Sequence, residues 1–472
     1  MKYVYLIMLL FLTGCLVPSK GELYQEMIAV PSLDTSYDLA VVSGTGSIGT
    51  WPKAAWWEEF ESPQLTSLIE EALAKSPSLE ALQRHVEVLR QEAVQARARC
   101  FPLLFFDFNN SWLYLSKNGL YRALNPSVPL AGNLIDLTLS FFYEVDFWGK
   151  NRNLFRAAVG RVKAEEAELT QQRLSVAAAV AQGYYAFVTT KKRKLLYEML
   201  CEVEQEALIL KSRLNLSGIS SQFDPLFQEE LLYEARQVVS ELQKDLETQS
   251  HLINFLMGQG PDRQIMEDEE LFLPKRLELP ENIQLDLIAR RPDLMAQTFR
   301  LEAYAKEIGA AKADFYPNIN LGSFLGFESF AYNTLLTQAS KQGGLNPALH
   351  LPIYTAGSIR AGVKAKRAQF DQALFEYNDL ILKSVQEIAD LLSLGRSVDA
   401  EYGAQQVIVA TAQKRHELST VLYTSGLGAL LETLAFRKEV LEKQIKEIEL
   451  LFGKYLVAIK LIKALGGGYH EP

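Results

Sequence analysis

Three kinds of residue in this 472-residue chain could do chemistry: five histidines, three cysteines and one glycine-rich hexapeptide. The hexapeptide, Gly44-Thr45-Gly46-Ser47-Ile48-Gly49, has dinucleotide-binding spacing and follows the apolar Leu39-Ala40-Val41-Val42-Ser43. That chemistry needs a helix opening at once, so that its N-terminus can hold a pyrophosphate. Here Trp51-Pro52 intervenes and the next helical pattern starts well downstream, so the segment reads as a flexible lead. His85, His251, His350, His416 and His470 are scattered, and Cys100 and Cys201 lack metal-ligand spacing. There is no phosphate loop or nucleophile elbow, and no carboxylate has a His or Lys partner at a legible spacing. The pattern predicts no enzyme, no cofactor and no metal.

Cys15 stands apart. Lys2, the apolar run Val4 to Leu12 and then Leu12-Thr13-Gly14-Cys15 read as a secretory signal, with a run far too short to span a bilayer. The last four residues resemble the lipobox of bacterial lipoproteins. That resemblance implies a signal peptide at 1–14 and palmitate-bearing lipid on Cys15, and Leu16 after it favours sorting to the outer membrane. No later stretch reaches 18 apolar residues, so no transmembrane helix is expected. With a hydrophobic content of 48% and a net charge of -9, nucleic acid is not an electrostatic partner.

The elements that position anything start with the stretch from Leu134 to Arg152. Ile135, Leu137, Leu139, Phe141, Tyr143, Val145 and Phe147 share one parity; Asp136, Thr138, Ser140, Glu144 and Asp146 share the other, with Phe142 the exception. Side chains alternate on a strand, so this is a half-apolar strand whose apolar face could meet lipid. Beyond Gly149 the chain becomes rich in Ala, Glu, Leu and Gln, the composition of a long helix.

The chain also repeats itself. Pro77/Pro292, Leu79/Leu294, Glu92/Glu307, Ala96/Ala311, Ala98/Ala313 and Pro102/Pro317 share an offset of 215. Gly149/Gly357, Arg152/Arg360, Ser217/Ser425, Gly218/Gly426 and Leu226/Leu434 share one of 208. After a signal (1–14) and an N-terminal segment (15–62), two repeats are therefore expected, 63–275 and 276–465, with a tail at 466–472. Each repeat opens with a helix at Pro77 or Pro292, broken at Phe101-Pro102 or Tyr316-Pro317. Strands follow at about 105–114 and 134–147, and at about 319–327 and 345–354, across Gly- and Asn-containing loops. Long helices are expected at 151–216 and 358–424, then a Gly turn and shorter helices at about 225–256 and 434–465.

A 66-residue helix is a rod of roughly 100 Å, and the two shorter helices of a repeat nearly match it end to end. Leu169, Val176, Val180 and Tyr184, spaced by 7, 4 and 4, suit a coiled-coil seam. Four strands cannot close a membrane barrel and open edges are not viable in lipid, so copies must pool strands. Two copies give 8 and three give 12.

The stretches "WWEEFESPQLTSLIEEALAKSPSL", "ARRPDLMAQTFRLEAYAKEIGAAKADFYPNINL", "EVDFWGKNR", "LPIYTAGSIR" and "LYTSGLGALLETL" resemble the TolC-type outer-membrane efflux proteins. The likeness runs from Cys15 to about Leu465 and is greatest to the lipoprotein branch serving resistance-nodulation-division pumps (OprM-like or NodT-like). It implies a mainly α chain in which two tandem repeats each supply coiled-coil helices and two strands. Three such chains form a 12-strand barrel in outer-membrane lipid, continuous with a 12-helix periplasmic tunnel. An equatorial belt is built from the region around Leu256 to Glu281 and the terminal segments. The implied role is a homotrimeric passive exit duct for small molecules. Its implied partners are a periplasmic adaptor and an inner-membrane resistance-nodulation-division transporter.

Gly218 and Gly426 suit left-handed turn positions, and Gly149 and Gly357 mark the hinges between barrel and tunnel. The resemblance makes Ser217, Gly218, Ile219, Ser425, Gly426 and Leu427 the tunnel tip that docks the adaptor. In TolC the second-repeat tip carries a Tyr, an Arg and two Asp that close the entrance and select cations. By position the Tyr falls on Tyr423 and the first Asp on Glu432, while Gly428 and Ala435 replace the Arg and the second Asp. Asp224 offers a further carboxylate ring, since like charges around a narrow axis attract cations. Two other readings are a duct for a type I protein secretion transporter and a lipid-anchored coiled-coil scaffold.

Overall fold

The computed structural model describes residues 27–44, 46–127, 129–265, 277–280 and 283–469. In chain order the elements are α1 (Asp34–Val42), β1 (Gly46–Gly49), α2 (Pro63–Lys75), α3 (Pro77–Ala98), β2 (Leu103–Tyr114), α4 (Leu120–Leu124) and β3 (Ala131–Val145). Then come α5 (Lys150–Leu216), α6 (Phe223–Leu256), β4 (Leu277–Pro280), α7 (Ile283–Arg290), α8 (Pro292–Ala313) and β5 (Asn318–Ser329). The last are α9 (Tyr332–Leu335), β6 (Lys341–His350), α10 (Ser358–Thr424) and α11 (Leu430–Ala464). The chain divides into two units. One gathers His85–Glu165 and Gln297–Glu376, the other Ile28–Arg84, Glu166–Ala296 and Tyr377–Pro472.

The first unit holds a four-stranded antiparallel sheet in the order β2-β3-β5-β6. In β2·β3, Leu103 faces Phe142; in β5·β6, Asn318 faces His350. Shifting Leu103 by 215 gives Asn318, and shifting Phe142 by 208 gives His350. The two offsets seen in the sequence are thus the register of two equivalent hairpins. Helix segments from α3, α5, α8 and α10 complete this unit. Glu307 on α8 is buried and receives both Arg161 of α5 and Lys366 of α10, the latter at 2.8 Å.

All four strand boundaries shift from expectation, and two of the shifts have a visible cause. β6 runs from Lys341 to His350 rather than over 345–354. Pro352 has no N–H to donate and restricts Leu351 before it, while Gly343 and Gly344 are drawn into the ladder by β5. A side chain at Gly344 would stand 2.5 Å from the Phe324 ring, so the glycine makes room for the aromatic. β3 ends at Val145, so Phe147 lies past the ladder and does not extend its apolar row. Asp146 leaves the strand to cap α5: its carboxylate accepts from the backbone N–H of Asn151 (3.1 Å) and Arg152 (2.9 Å).

In the second unit, Trp56 and Phe60 of "WWEEF" are buried with Tyr184, Tyr185 and Tyr455. The Tyr185 and Tyr455 rings stack at 3.8 Å and 9°. Ser62 caps α2, its hydroxyl accepting from Leu65 N at 3.1 Å. Of the expected seam on α5, Val180 and Tyr184 are buried, Val176 packs half-buried against the same core, and Leu169 is half-buried. Leu174, Ala177, Ala181, Tyr185 and Val188 carry the rest of the contact. The glycine hexapeptide is not a loose lead either. Its Gly46–Gly49 portion pairs in parallel with Leu277–Pro280, a partner too distant in sequence for any local pattern to announce.

Candidate functional site

The sheet sorts its residues by face. Ile135, Leu137, Leu139, Phe141 and Tyr143 stand beside Phe108, Phe106 and Leu104 on β2 and beside Phe327, Leu325 and Leu321 on β5. The opposite face carries Asp107, Asn109, Ser111, Asp136, Thr138, Ser140, Glu144, Asn320, Gln342 and Asn346. There Gln342 Nε2 donates to Asp136 Oδ2 (2.6 Å), and Asn318 Nδ2 donates to Glu144 Oε1 (3.0 Å). Thr138, Ser140, Glu144 and Asn346 of this face line a hollow of about 720 Å³. Phe142, the parity exception, lies on the same face edge-on to Phe105 at 6.2 Å. Ile135 departs from the expected lipid-facing row, being fully buried, while the rest of that face can lie in lipid and the other line water.

Gly149 (φ 74°) and Gly357 (φ 86°) turn the chain from β3 and β6 toward α5 and α10. Positive φ is a glycine conformation, and Trp148 beside the first turn stacks on Tyr316 at 4.5 Å.

The far ends of α5 and α10 are closed identically. Gly218 N donates to Asn215 O and Ile219 N to Leu214 O, both at 2.9 Å. Gly426 N donates to Tyr423 O (3.0 Å) and Leu427 N to Leu422 O (2.9 Å). These paired bonds form Schellman caps, with φ of 73° and 75° at the two glycines. Ile219 and Leu427 then project at 73% and 80% exposure, joined by exposed Leu216, Phe223, Leu226 and Phe227 on the first hairpin. Such apolar exposure suits a docking surface. Ser217 and Ser425 occupy the matching cap positions beside these glycines.

Asp224 and Glu432 fall within the first turns of α6 and α11, because both helices begin a few residues earlier than expected. Both carboxylates are exposed, at the helix end where negative charge is favoured. Tyr423 is 41% exposed on the last turn of α10. Among the described residues, no arginine pairs with Glu432. Cys15, the signal and residues 266–276 and 281 of the expected belt lie outside the described residues.

A polar cluster went unforeseen. Glu204 on α5 is buried and receives Lys438 Nζ of α11 at 2.6 Å. Gln228 of α6 also donates to the Glu204 carboxylate, while Lys211 Nζ donates to Gln228 Oε1 at 2.7 Å. The available signal was a carboxylate on the buried stripe of Leu200, Val203 and Ala207. Among the described residues no group of three or more His, Cys, Asp or Glu could hold a metal. No described helix is long and apolar enough to cross a membrane.

The family model described as outer membrane efflux protein matches residues 68–259 and 285–467. The chain is 28% identical over 473 residues to a putative multidrug resistance outer membrane protein, MdtQ, of Shigella flexneri, covering 98% of this chain and 97% of that one. It is 26% identical over 469 residues to multidrug resistance outer membrane protein MdtP of Escherichia coli, at 97% and 94% coverage. Among solved structures it resembles the outer membrane protein VceC of Vibrio cholerae, with a TM-score of 0.78, 27% identity and coverage of 89% and 100%. The Campylobacter jejuni CmeC outer membrane channel shares the fold at a TM-score of 0.81 and 21% identity, covering 91% of this chain and 92% of that one.

Proposed function

Because this chain belongs to the outer membrane efflux protein family, we propose that it is the trimeric exit duct of a tripartite pump expelling small, drug-like molecules. The observation that carries this reading is the amphipathic four-stranded sheet, whose strands lead through Gly149 and Gly357 into two 67-residue helices. Among the described residues β2 and β6 each keep an unpaired edge, and pooling strands from three copies closes the barrel. The names of the relatives favour drugs over secreted proteins as cargo. Lipid on Cys15 anchors the N-terminus, and the exposed apolar tips around Ile219 and Leu427 dock a periplasmic adaptor of a resistance-nodulation-division pump. The duct itself is passive; Tyr423, Glu432 and Asp224 form its entrance and filter cations.

Deleting the gene in its own bacterium and measuring dye retention and drug susceptibility tests the assignment. Greater retention, restored by the full chain but not by Gly218→Pro/Gly426→Pro, is expected. Unchanged retention with every drug class would refute it. Radiolabelled palmitate should enter the wild type and not Cys15→Ser.

A further inference from the structure

Beside the polar face of the sheet, the hollow of about 720 Å³ has a lining that a water-filled passage does not need. Phe101, Leu103 and Phe142 border it and are each about half exposed. Apolar groups left open in a cavity of this size, among a few polar ones, are the lining of a site for a drug-sized molecule.

The charged and buried polar groups of the lining favour an anion. Arg99, exposed just past α3, has no ion-pair partner among the described residues. Lys150 opens α5, with its ammonium 2.8 Å from Asp314. Asn151 beside it is 3% exposed, and its Nδ2 has no hydrogen-bond acceptor within the chain. A buried donor is costly to leave without an acceptor, and a ligand oxygen supplies one. The carboxylate in the lining, Glu144, already accepts from Asn318 Nδ2 at 3.0 Å. Asp146 takes the backbone N–H groups of Asn151 and Arg152, so side chains and not the helix end are what the hollow offers.

The second repeat supplies a comparison within the same chain. The offsets of 215 and 208 carry Arg99, Phe101 and Asn151 onto Asp314, Tyr316 and Ile359, which line a separate hollow of about 490 Å³. There the equivalents are engaged or apolar: Asp314 binds Lys150, Tyr316 stacks on Trp148 at 4.5 Å, and Ile359 has no polar group. At these three positions the first repeat stays open where the second is closed.

We propose that the larger hollow binds amphipathic organic anions, with an aromatic body against Phe101 and Phe142 and a carboxylate on Arg99 and Asn151 Nδ2. A carboxylate accepts from several donors at once, and the planar guanidinium fork suits it better than an ammonium. This site rests on the exit-duct reading above and gives the duct one class of cargo. The carboxylates at the tips grade the flow of small ions and do not bar an anion driven through by the pump.

Isothermal titration of the full-length protein in lipid nanodiscs tests it, with naphthoate as probe, naphthylmethylammonium as its cationic counterpart and empty nanodiscs as blank. Saturable binding of one naphthoate per chain is expected, with the cation binding more weakly. Arg99→Gln should weaken naphthoate about tenfold, Arg99→Lys less, and Phe142→Ala should weaken it severalfold. Arg99 is exposed and unpaired, so these effects should come with an unchanged melting temperature. Tighter binding of the cation overturns the charge assignment. Wild-type affinity in both Arg99→Gln and Phe142→Ala overturns the location, and the absence of saturable binding overturns the site. None of these results touches the duct reading, which dye retention decides separately.

Discussion

Lys438 on α11 places its ammonium 2.6 Å from the buried carboxylate of Glu204 on α5. This links the return helix of the second repeat to the outgoing helix of the first. Removing one partner of a buried pair leaves the other charged and unsolvated, a loss of roughly 3–5 kcal/mol. Lys438→Ala should therefore lower thermal stability sharply, whereas Lys438→Ala with Glu204→Leu should recover much of it. Thermal unfolding of the detergent-solubilised protein checks both, and equal loss in the two variants would show that the pair is not coupled.

Gly218 and Gly426 are required for their backbone and not for space. No atom lies within 4 Å of a side chain built at either position, and both have positive φ. Gly426→Ala should therefore cost about 1 kcal/mol, with Gly426→Asn milder because Asn tolerates this region. Urea unfolding measures the difference. A loss several times larger would mean that the turn packs against something the isolated chain does not show.

Glu71 on α2 accepts from Arg263 at 2.8 Å and Lys75 at 2.9 Å, and these hydrogen bonds hold its pKa at about 2. A carboxylate lowered on folding stabilises above its unfolded pKa, and that contribution disappears as pH falls through the folded value. Glu71→Gln should thus be less stable than the wild type at pH 7, by about 1 kcal/mol or less because Arg263 is partly exposed. The gap should narrow between about pH 4.5 and pH 2. Melting curves at pH 7, 4 and 2.5 read it directly, and a gap independent of pH removes the ion pair as its cause.

Glu432 stands exposed at the start of α11, and among the described residues no arginine pairs with it. Three copies around an axis would concentrate cations, so Glu432→Gln should reduce the cation-to-anion permeability ratio severalfold in planar bilayers. Asp224→Gln should add to that effect if both carboxylates face the same opening. Unaltered selectivity in the double variant would take both residues out of the entrance.

Parity in β3, glycine at the four turns and two constant offsets were all legible in the chain itself. Each is a local or internally repeated pattern: strand side chains alternate every residue, and positive φ excludes most residue types. The same logic located the long helices to within a residue, since Lys150–Leu216 and Ser358–Thr424 contain no proline. Other features depended on partners remote in sequence. Gly343 and Gly344 read as loop until β5 supplied their ladder, and Gly46–Gly49 read as a lead until Leu277–Pro280 paired with it. Glu204 looked like any helix carboxylate until Lys438 and Gln228 reached it, because burial and compensation of a charge are settled only when helices meet. Sequence alone determined the long helices, the four strands of the sheet and which face of β3 is apolar. Tertiary structure decided their ends, their ion pairs and the register of the sheet, because those energies belong to contacts between segments and not to the segments themselves.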